Sequence, residues 1–170
     1  MIFFETQDLI ANALTLEDTA RFHAICNQPF VLKWMADWEL DRGEVKKLLR
    51  HFIKGYEISD PKRHSYAMAL RLKRGGQLIG ICGFGPKEEL GGEVEICYFI
   101  DEIHSNRGYM GQAVKGAIAF YFDHFNEPFL SAMVNSENIP SCRLLRGNGF
   151  FHCPLAGAQN AFRLYRPDHS

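Results

Sequence analysis

The sequence predicts an α/β fold: a mixed, mostly antiparallel central sheet of about seven strands flanked by about four helices, in a single domain over residues 1–170. Three observations lead there. Hydrophobic periodicity switches from helical spacing to alternation and back along the chain. Glycine-bearing turns separate the alternating stretches. The length of 170 residues and the apolar fraction of 46% suit one core, in which a chain of this size buries roughly 70% of its unfolded surface.

The elements follow in order. A short apolar run at 9–14 reads as a first strand. Thr15-Leu16-Glu17-Asp18 has a capping residue and early acids, and it opens a helix that Asn27-Gln28-Pro29 breaks. Asp41-Arg42-Gly43-Glu44 is a capping-box pattern, and Val45, Leu48, Leu49, Phe52 and Ile53 then recur at helical spacing until Ser59-Asp60-Pro61. Tyr66, Met68, Leu70 and Leu72 alternate with small or basic residues, as in a half-buried strand. Arg74-Gly75-Gly76-Gln77 is a hairpin turn, because glycine supplies the positive φ such turns need. Strands at 78–84 and 93–100 come next, parted by Gly91-Gly92. A long helix is expected at 108–125, a strand at 129–134, a helix at 139–148 with Gly149 past its end, and closing strands at 150–153 and 162–165.

Composition narrows the function classes. A formal net charge of -1 argues against nucleic acid, which calls for a basic stripe. The most basic run, Arg71, Lys73 and Arg74, is short and reads as solvated strand and hairpin residues. Cys26, Cys82, Cys97, Cys142 and Cys153 are odd in number and form no CxxC pair, so reduced thiols and no metal are expected. The first residues lack a basic n-region, and no apolar run approaches the about 18 residues of a membrane span. A soluble, cytoplasmic protein without a membrane partner is expected. Exposed strand edges are compatible with a homodimer.

The informative stretch runs from Glu95 through Ser105-Asn106-Arg107-Gly108-Tyr109-Met110-Gly111 to Ala113. It reads as strand, polar turn and first turn of a helix. Such a turn leaves backbone N–H groups unpaired at the positive end of the helix dipole, a geometry that binds phosphate. Gly108 lets backbone approach a ligand, and Arg107 adds charge. A plain strand-to-helix connection with a glycine at the bend fits the same spacing.

Four blocks in order carry a resemblance: Glu95-Ile96-Cys97-Tyr98, Arg107-Gly108-Tyr109, Asn138-Ile139-Pro140-Ser141 and Gly149-Phe150. Together they resemble the Gcn5-related N-acetyltransferases (GNAT), especially the branch of the ribosomal-protein alanine N-acetyltransferases. The departures are Ser105 at the first position of the turn, Met110 in place of a small residue, and Cys97 in place of a strand glycine.

The resemblance implies a GNAT fold and direct transfer of acetyl from acetyl-CoA, as co-substrate, to an amine acceptor: a protein N-terminus or a small-molecule amine. It implies coenzyme binding by Ser105, Asn106, Arg107, Gly108, Tyr109, Met110 and Gly111, by backbone groups of Phe99, Ile100 and Asp101, and by Asn138. An amine of pKa ~10 is protonated at neutral pH, so a base is needed, and Glu95 matches the base position. The tyrosine that many members carry late in the last helix corresponds to Leu145, which leaves Ser141 to assist the departing thiolate. Asn138 and Ser141 equally suit capping of that helix. Trp34 and Trp38 fall where the family shapes its acceptor pocket, although their spacing of four also suits core packing on a helix. A catalytically idle acyl-CoA-binding module is the alternative function, and Met110 and Leu145 give it weight.

Overall fold

The computed structural model describes residues 1–155 and 160–167. Among these residues eight strands form one sheet: β1 (Ile2–Glu5), β2 (Leu9–Ala13), β3 (Tyr66–Leu72), β4 (Leu78–Lys87), β5 (Glu93–Ile100), β6 (Phe129–Met133), β7 (Phe151–His152) and β8 (Ala161–Tyr165). Their spatial order is β1-β2-β3-β4-β5-β6-β8-β7. Every neighbouring pair is antiparallel except β5 and β6, which are parallel. Among the described residues, five helices flank the sheet: α1 (Thr19–Cys26), α2 (Pro29–Leu32), α3 (Arg42–Ile58), α4 (Tyr109–His124) and α5 (Ile139–Gly147).

Two elements exceed the sequence expectation. β1 is a four-residue edge strand that hairpins onto β2. α2 begins at Pro29, the residue read as a helix breaker; its fixed φ and missing N–H suit the first position of a helix as well as they end one.

Local chemistry fixes the other boundaries. At α3 the Asp41 carboxylate accepts from Glu44 N–H (2.8 Å), and the Glu44 carboxylate accepts from Asp41 N–H (2.7 Å). The β3–β4 turn places Gly75 and Gly76 at φ +89° and +68°. β3 is buried on both faces rather than half-buried. Met68 and Leu70 enter the core beneath α4 and α5, while Ala67 and Ala69 face α1 and α3, so small residues let the second helical layer sit close. The sheet therefore separates two apolar cores. Phe99 of β5 belongs to the second, beside Phe22, Ile25 and Leu49.

Arg71 is not a solvated residue. Its guanidinium donates to both Asp18 oxygens (2.7 and 2.8 Å) and to Asn12 Oδ1 (3.0 Å), and Lys73 pairs with Glu5. Among the described residues, no helix is long and apolar enough to cross a membrane.

Candidate active site

β5 and β6 share one register pair, Glu95 with Ser131. A cleft of about 1030 Å³ lies along this seam. Residues 95–100 of β5 line one wall, and residues 132–135 at the end of β6 line the other. The 104–111 turn, the N-terminal part of α5 and the segment 30–38 complete it. Trp34, Trp38, Glu95, Phe99, Ile100, Ser105, Asn106, Gly108, Tyr109, Met110, Gly111, Asn138 and Ser141 all line this one cleft. Arg107 is exposed beside the cleft, and Asp101 is buried behind it.

The turn after β5 is anchored from behind. Asp101, 1% exposed, forms an ion pair with Arg21 of α1 and accepts from Gln28 Nε2 (2.9 Å) just ahead of α2. Burial would raise its carboxyl, but the bonds from Gln28 and Arg21 outweigh that and hold it below the usual aspartate value. Asn106 and Gly108 then take left-handed conformations, φ +56° and +78°, on either side of Arg107. Such alternation shapes an amide-lined concavity suited to an anion. The N–H of Gln112 bonds Gly108 O (3.2 Å), so Tyr109, Met110 and Gly111 precede the first intrahelical bond and leave their N–H groups for other partners. The Gln112 side chain clamps this first helical turn to the β1–β2 hairpin, accepting from the Thr6 hydroxyl (2.7 Å) and donating to Asp8 Oδ2 (2.6 Å). A Cβ on Gly108 would meet no heavy atom within 4 Å. Its glycine therefore serves the positive φ and an open approach, not internal packing.

The backbone of β5 alternates. Asp101 N–H donates to Ile79 O (2.7 Å), and Asp101 O accepts from His104 N–H (2.9 Å), so both backbone groups of Asp101 are engaged within the protein. Two residues back, Phe99 turns the same way, toward its register partner Ile81. Of the three residues expected to offer backbone groups to a ligand, Ile100 is thus the one turned away from β4, joined by Tyr98.

Glu95 and Glu93 diverge in character. Glu93 is tied to Arg163 and accepts from the buried Ser131 hydroxyl (2.6 Å). Glu95 has a side chain 16% exposed, and its nearest cation is Lys87 Nζ at 3.9 Å, an ammonium shared with Glu89 (3.4 Å). Neither is the exposed strand carboxylate that an ordinary surface role would make it. Burial pushes the Glu95 carboxyl up to about 7; Lys87 opposes the rise and Glu89 adds to it. A carboxyl poised near neutrality in a cleft can take a proton at physiological pH.

On α5, Asn138 is the N-cap, its Oδ1 accepting from Ser141 N–H (3.3 Å). The Ser141 hydroxyl is free of that cap and lies 2.7 Å from the Tyr98 hydroxyl. Leu145 is wholly buried in the core and Leu144 lines the cleft in its stead. The hydroxyl partner of Ser141 thus comes from β5. Tyr98 and Lys87 were not singled out from the sequence. Alternation along β5 already set Tyr98 on the face opposite Glu95 and Phe99, which is the signal that could have found it.

Trp34 and Trp38 do not share a helix: α2 ends at Leu32, and Trp38 closes a 3₁₀ turn, Ala36–Trp38. Trp38 packs edge-on against Phe99 (5.1 Å between ring centres), so it supports the second core while facing the cleft. Trp34 carries the Lys33 ammonium over its ring at 4.8 Å.

A further feature bears on what the cleft holds. Both ring nitrogens of His104, which lines the cleft beside the turn, are buried with no hydrogen-bond partner among the described residues. Buried polar atoms are seldom left so. With the unpaired N–H groups of the turn, they fit a polar ligand entering there. No cluster of three or more metal-ligating side chains occurs among the described residues.

The comparisons with known proteins agree with this geometry. The acetyltransferase (GNAT) domain profile matches residues 8–151. An uncharacterized N-acetyltransferase p20 of Bacillus licheniformis is 33% identical over 145 residues, 85% of this chain and 80% of that protein. The acetyltransferase of Agrobacterium tumefaciens superposes with a TM-score of 0.79 at 19% identity, covering 96% of this chain and 94% of that one. RimL, a ribosomal-protein alpha-N-acetyltransferase solved in complex with coenzyme A, does so with a TM-score of 0.77 at 14% identity, over 97% and 98% of the two chains. Fold, cleft and relatives define an acetyl-CoA-dependent acyltransferase. The chain belongs to the GNAT acetyltransferase family.

Proposed function

We propose that this protein transfers the acetyl group of acetyl-CoA to a primary amine, a protein N-terminus or a small-molecule amine, by direct attack in the cytoplasm. The observation that carries the reading is Glu95: a mostly buried carboxyl titrating at about 7, in the same cleft as the anion-suited turn. Coenzyme binding falls to the N–H groups of Asn106, Gly108, Tyr109, Met110 and Gly111, with Arg107, Ser105 and Asn138 beside them and the Ile100 backbone along the pantetheine arm. Trp34 and Trp38 border the acceptor end.

Acetyl-CoA supplies an activated thioester. The amine nitrogen forms a bond to its carbonyl carbon, the carbon–sulfur bond breaks, and the electron pair leaves with sulfur as thiolate. Glu95, in its carboxylate form, takes the proton that nitrogen sheds, through one water. Holding amine and thioester together supplies much of the rate. A serine hydroxyl is a far weaker acid than a thiol, so Ser141 stabilises the thiolate by donating a hydrogen bond rather than by giving up its proton.

The direct test is release of free thiol, with acetylated product, on mixing the protein, acetyl-CoA and a panel of amines and N-terminal peptides. Coenzyme binding without thiol release for any amine would instead mark an idle acyl-CoA-binding module. Two variants refine the assignment. Ser141→Ala is expected to lower kcat about ten-fold to a hundred-fold with little change in melting temperature; equal losses of stability and activity would make Ser141 a structural residue. Lys87→Met removes the cation that holds Glu95 down. Its rate–pH curve is expected to shift to higher pH, with the rate at pH 6.5 down roughly three-fold to ten-fold and the plateau kept. An unshifted curve would show that Lys87 does not tune the base.

A further inference from the structure

The hydroxyls of Tyr98 and Ser141 come from β5 and α5, 43 residues apart in sequence, and meet at 2.7 Å on the edge of the cleft. A pair of hydroxyls shares one proton in its bond and leaves the other free to point elsewhere. A phenol is the better donor and an aliphatic hydroxyl the better acceptor. The favoured arrangement has Tyr98 O–H donating to Ser141 Oγ. The Ser141 proton is then free, and accepting a bond makes its own O–H a stronger donor. The Asn138 cap fixes the Ser141 backbone from the other side. The Tyr98 ring is packed against the main core, so its hydroxyl has little freedom to turn away.

We propose that Tyr98 is a positioning residue for the leaving group: its phenol donates to Ser141 Oγ and aims the Ser141 O–H at the sulfur of the departing coenzyme. The proposal rests on the acetyl-transfer reading above. The Tyr98 hydroxyl acts through Ser141. It keeps its proton throughout the reaction, because a phenolate at this depth is strongly disfavoured: burial raises the phenol well above the usual tyrosine value, and the Ser141 bond offsets only part of that rise. The two sides of the reaction then have separate supports, Lys87 and Glu89 for the base and Tyr98 for the thiolate donor. The alternation of β5 explains the separation, since Glu95 and Tyr98 lie on opposite faces of one strand.

The test is a double-mutant cycle. Tyr98→Phe, Ser141→Ala and the double variant are compared with the wild type for kcat, for KM of acetyl-CoA and of one acceptor amine, and for melting temperature. Tyr98→Phe keeps the packed ring and removes only the hydroxyl. Its kcat is expected to fall about five-fold to ten-fold, with KM for acetyl-CoA within two-fold of wild type. The double variant should be no slower than Ser141→Ala alone, because two groups acting in series are lost together. Ser141→Thr, which keeps a hydroxyl, should retain most of the rate and remain sensitive to Tyr98→Phe. Losses that multiply in the double variant, or a wild-type kcat in Tyr98→Phe beside an impaired Ser141→Ala, would overturn the inference alone. A wild-type kcat in Ser141→Ala would overturn the Ser141 reading and this inference with it. A fall in melting temperature that matches the fall in rate would make the hydroxyl pair a tether between β5 and α5 and nothing more.

Discussion

Replacing Glu95 by Gln is expected to lower kcat/KM near neutral pH by roughly 10²-fold while acetyl-CoA still binds. The amide keeps the shape and loses the basicity. The wild-type rate should rise through a midpoint near 7, where burial has moved the carboxyl, and then level off. The Gln variant should lack that limb and recover in part at high pH, where more of the acceptor amine is already neutral. Stability supplies an independent check with a definite sign. A carboxyl raised on folding stabilises the native state most below its unfolded value, and that contribution is lost as pH rises through about 7. Gln is neutral throughout, so the variant should gain stability relative to wild type as pH rises from the unfolded glutamate value of about 4.3 to about 7, and gain no more above that. Wild-type rates in the Gln variant from pH 6 to 9 would remove Glu95 from the mechanism.

Gly108→Glu is expected to abolish coenzyme binding. At a hundred times Kd a ligand stabilises the folded state by about 2.7 kcal/mol, several degrees of Tm for a chain of this length. That shift should be present in the wild type and absent in the variant. The added side chain meets no protein atom within 4 Å of its Cβ, so the loss falls on the ligand side through bulk and like charge. Gly108→Ala separates the backbone effect. An alanine at φ +78° carries a strain of roughly 1–2 kcal/mol but adds no charge. It should lower the melting temperature yet keep most of the ligand-induced shift. A full shift in Gly108→Glu would place the coenzyme elsewhere.

What was legible in the sequence was local. The strand, turn and helix around Glu95 and Gly108 lie within about twenty residues, and their chemistry follows from glycine conformation and free N–H groups at a helix start. The sheet's mixed character followed from the order of elements. The misses have physical causes. β1 is four residues long, too short for alternation to register, and its place is set by Phe4 packing onto Gly116, where a Cβ would come within 2.5 Å of the ring. α2 hid behind Pro29, since proline serves both to stop a helix and to start one. Arg71 reads as solvated until Asp18 and Asn12 are folded against it. Tyr98 with Ser141, and Lys87 with Glu95, depend on the register between strands and on how α5 docks, and neither is encoded in a window of neighbouring residues.

The buried Asp101 carboxylate has a bearing on how kinetic measurements on this protein are to be read. It joins α1, the entry to α2 and the end of β5, and so braces the segment ahead of α2 and the turn after β5 through one group. Because its bonds hold it below the ordinary aspartate value, it stays ionised down to acid well beyond the neutral range; its stabilising contribution is present above the unfolded value of about 3.9 and fails only below that. Glu95 titrates near 7, far from that limit. The brace is therefore constant while the base changes its charge. Between pH 6 and 9 the Asp101 brace keeps its charge, so a midpoint that shifts in that range does not come from titration of this brace.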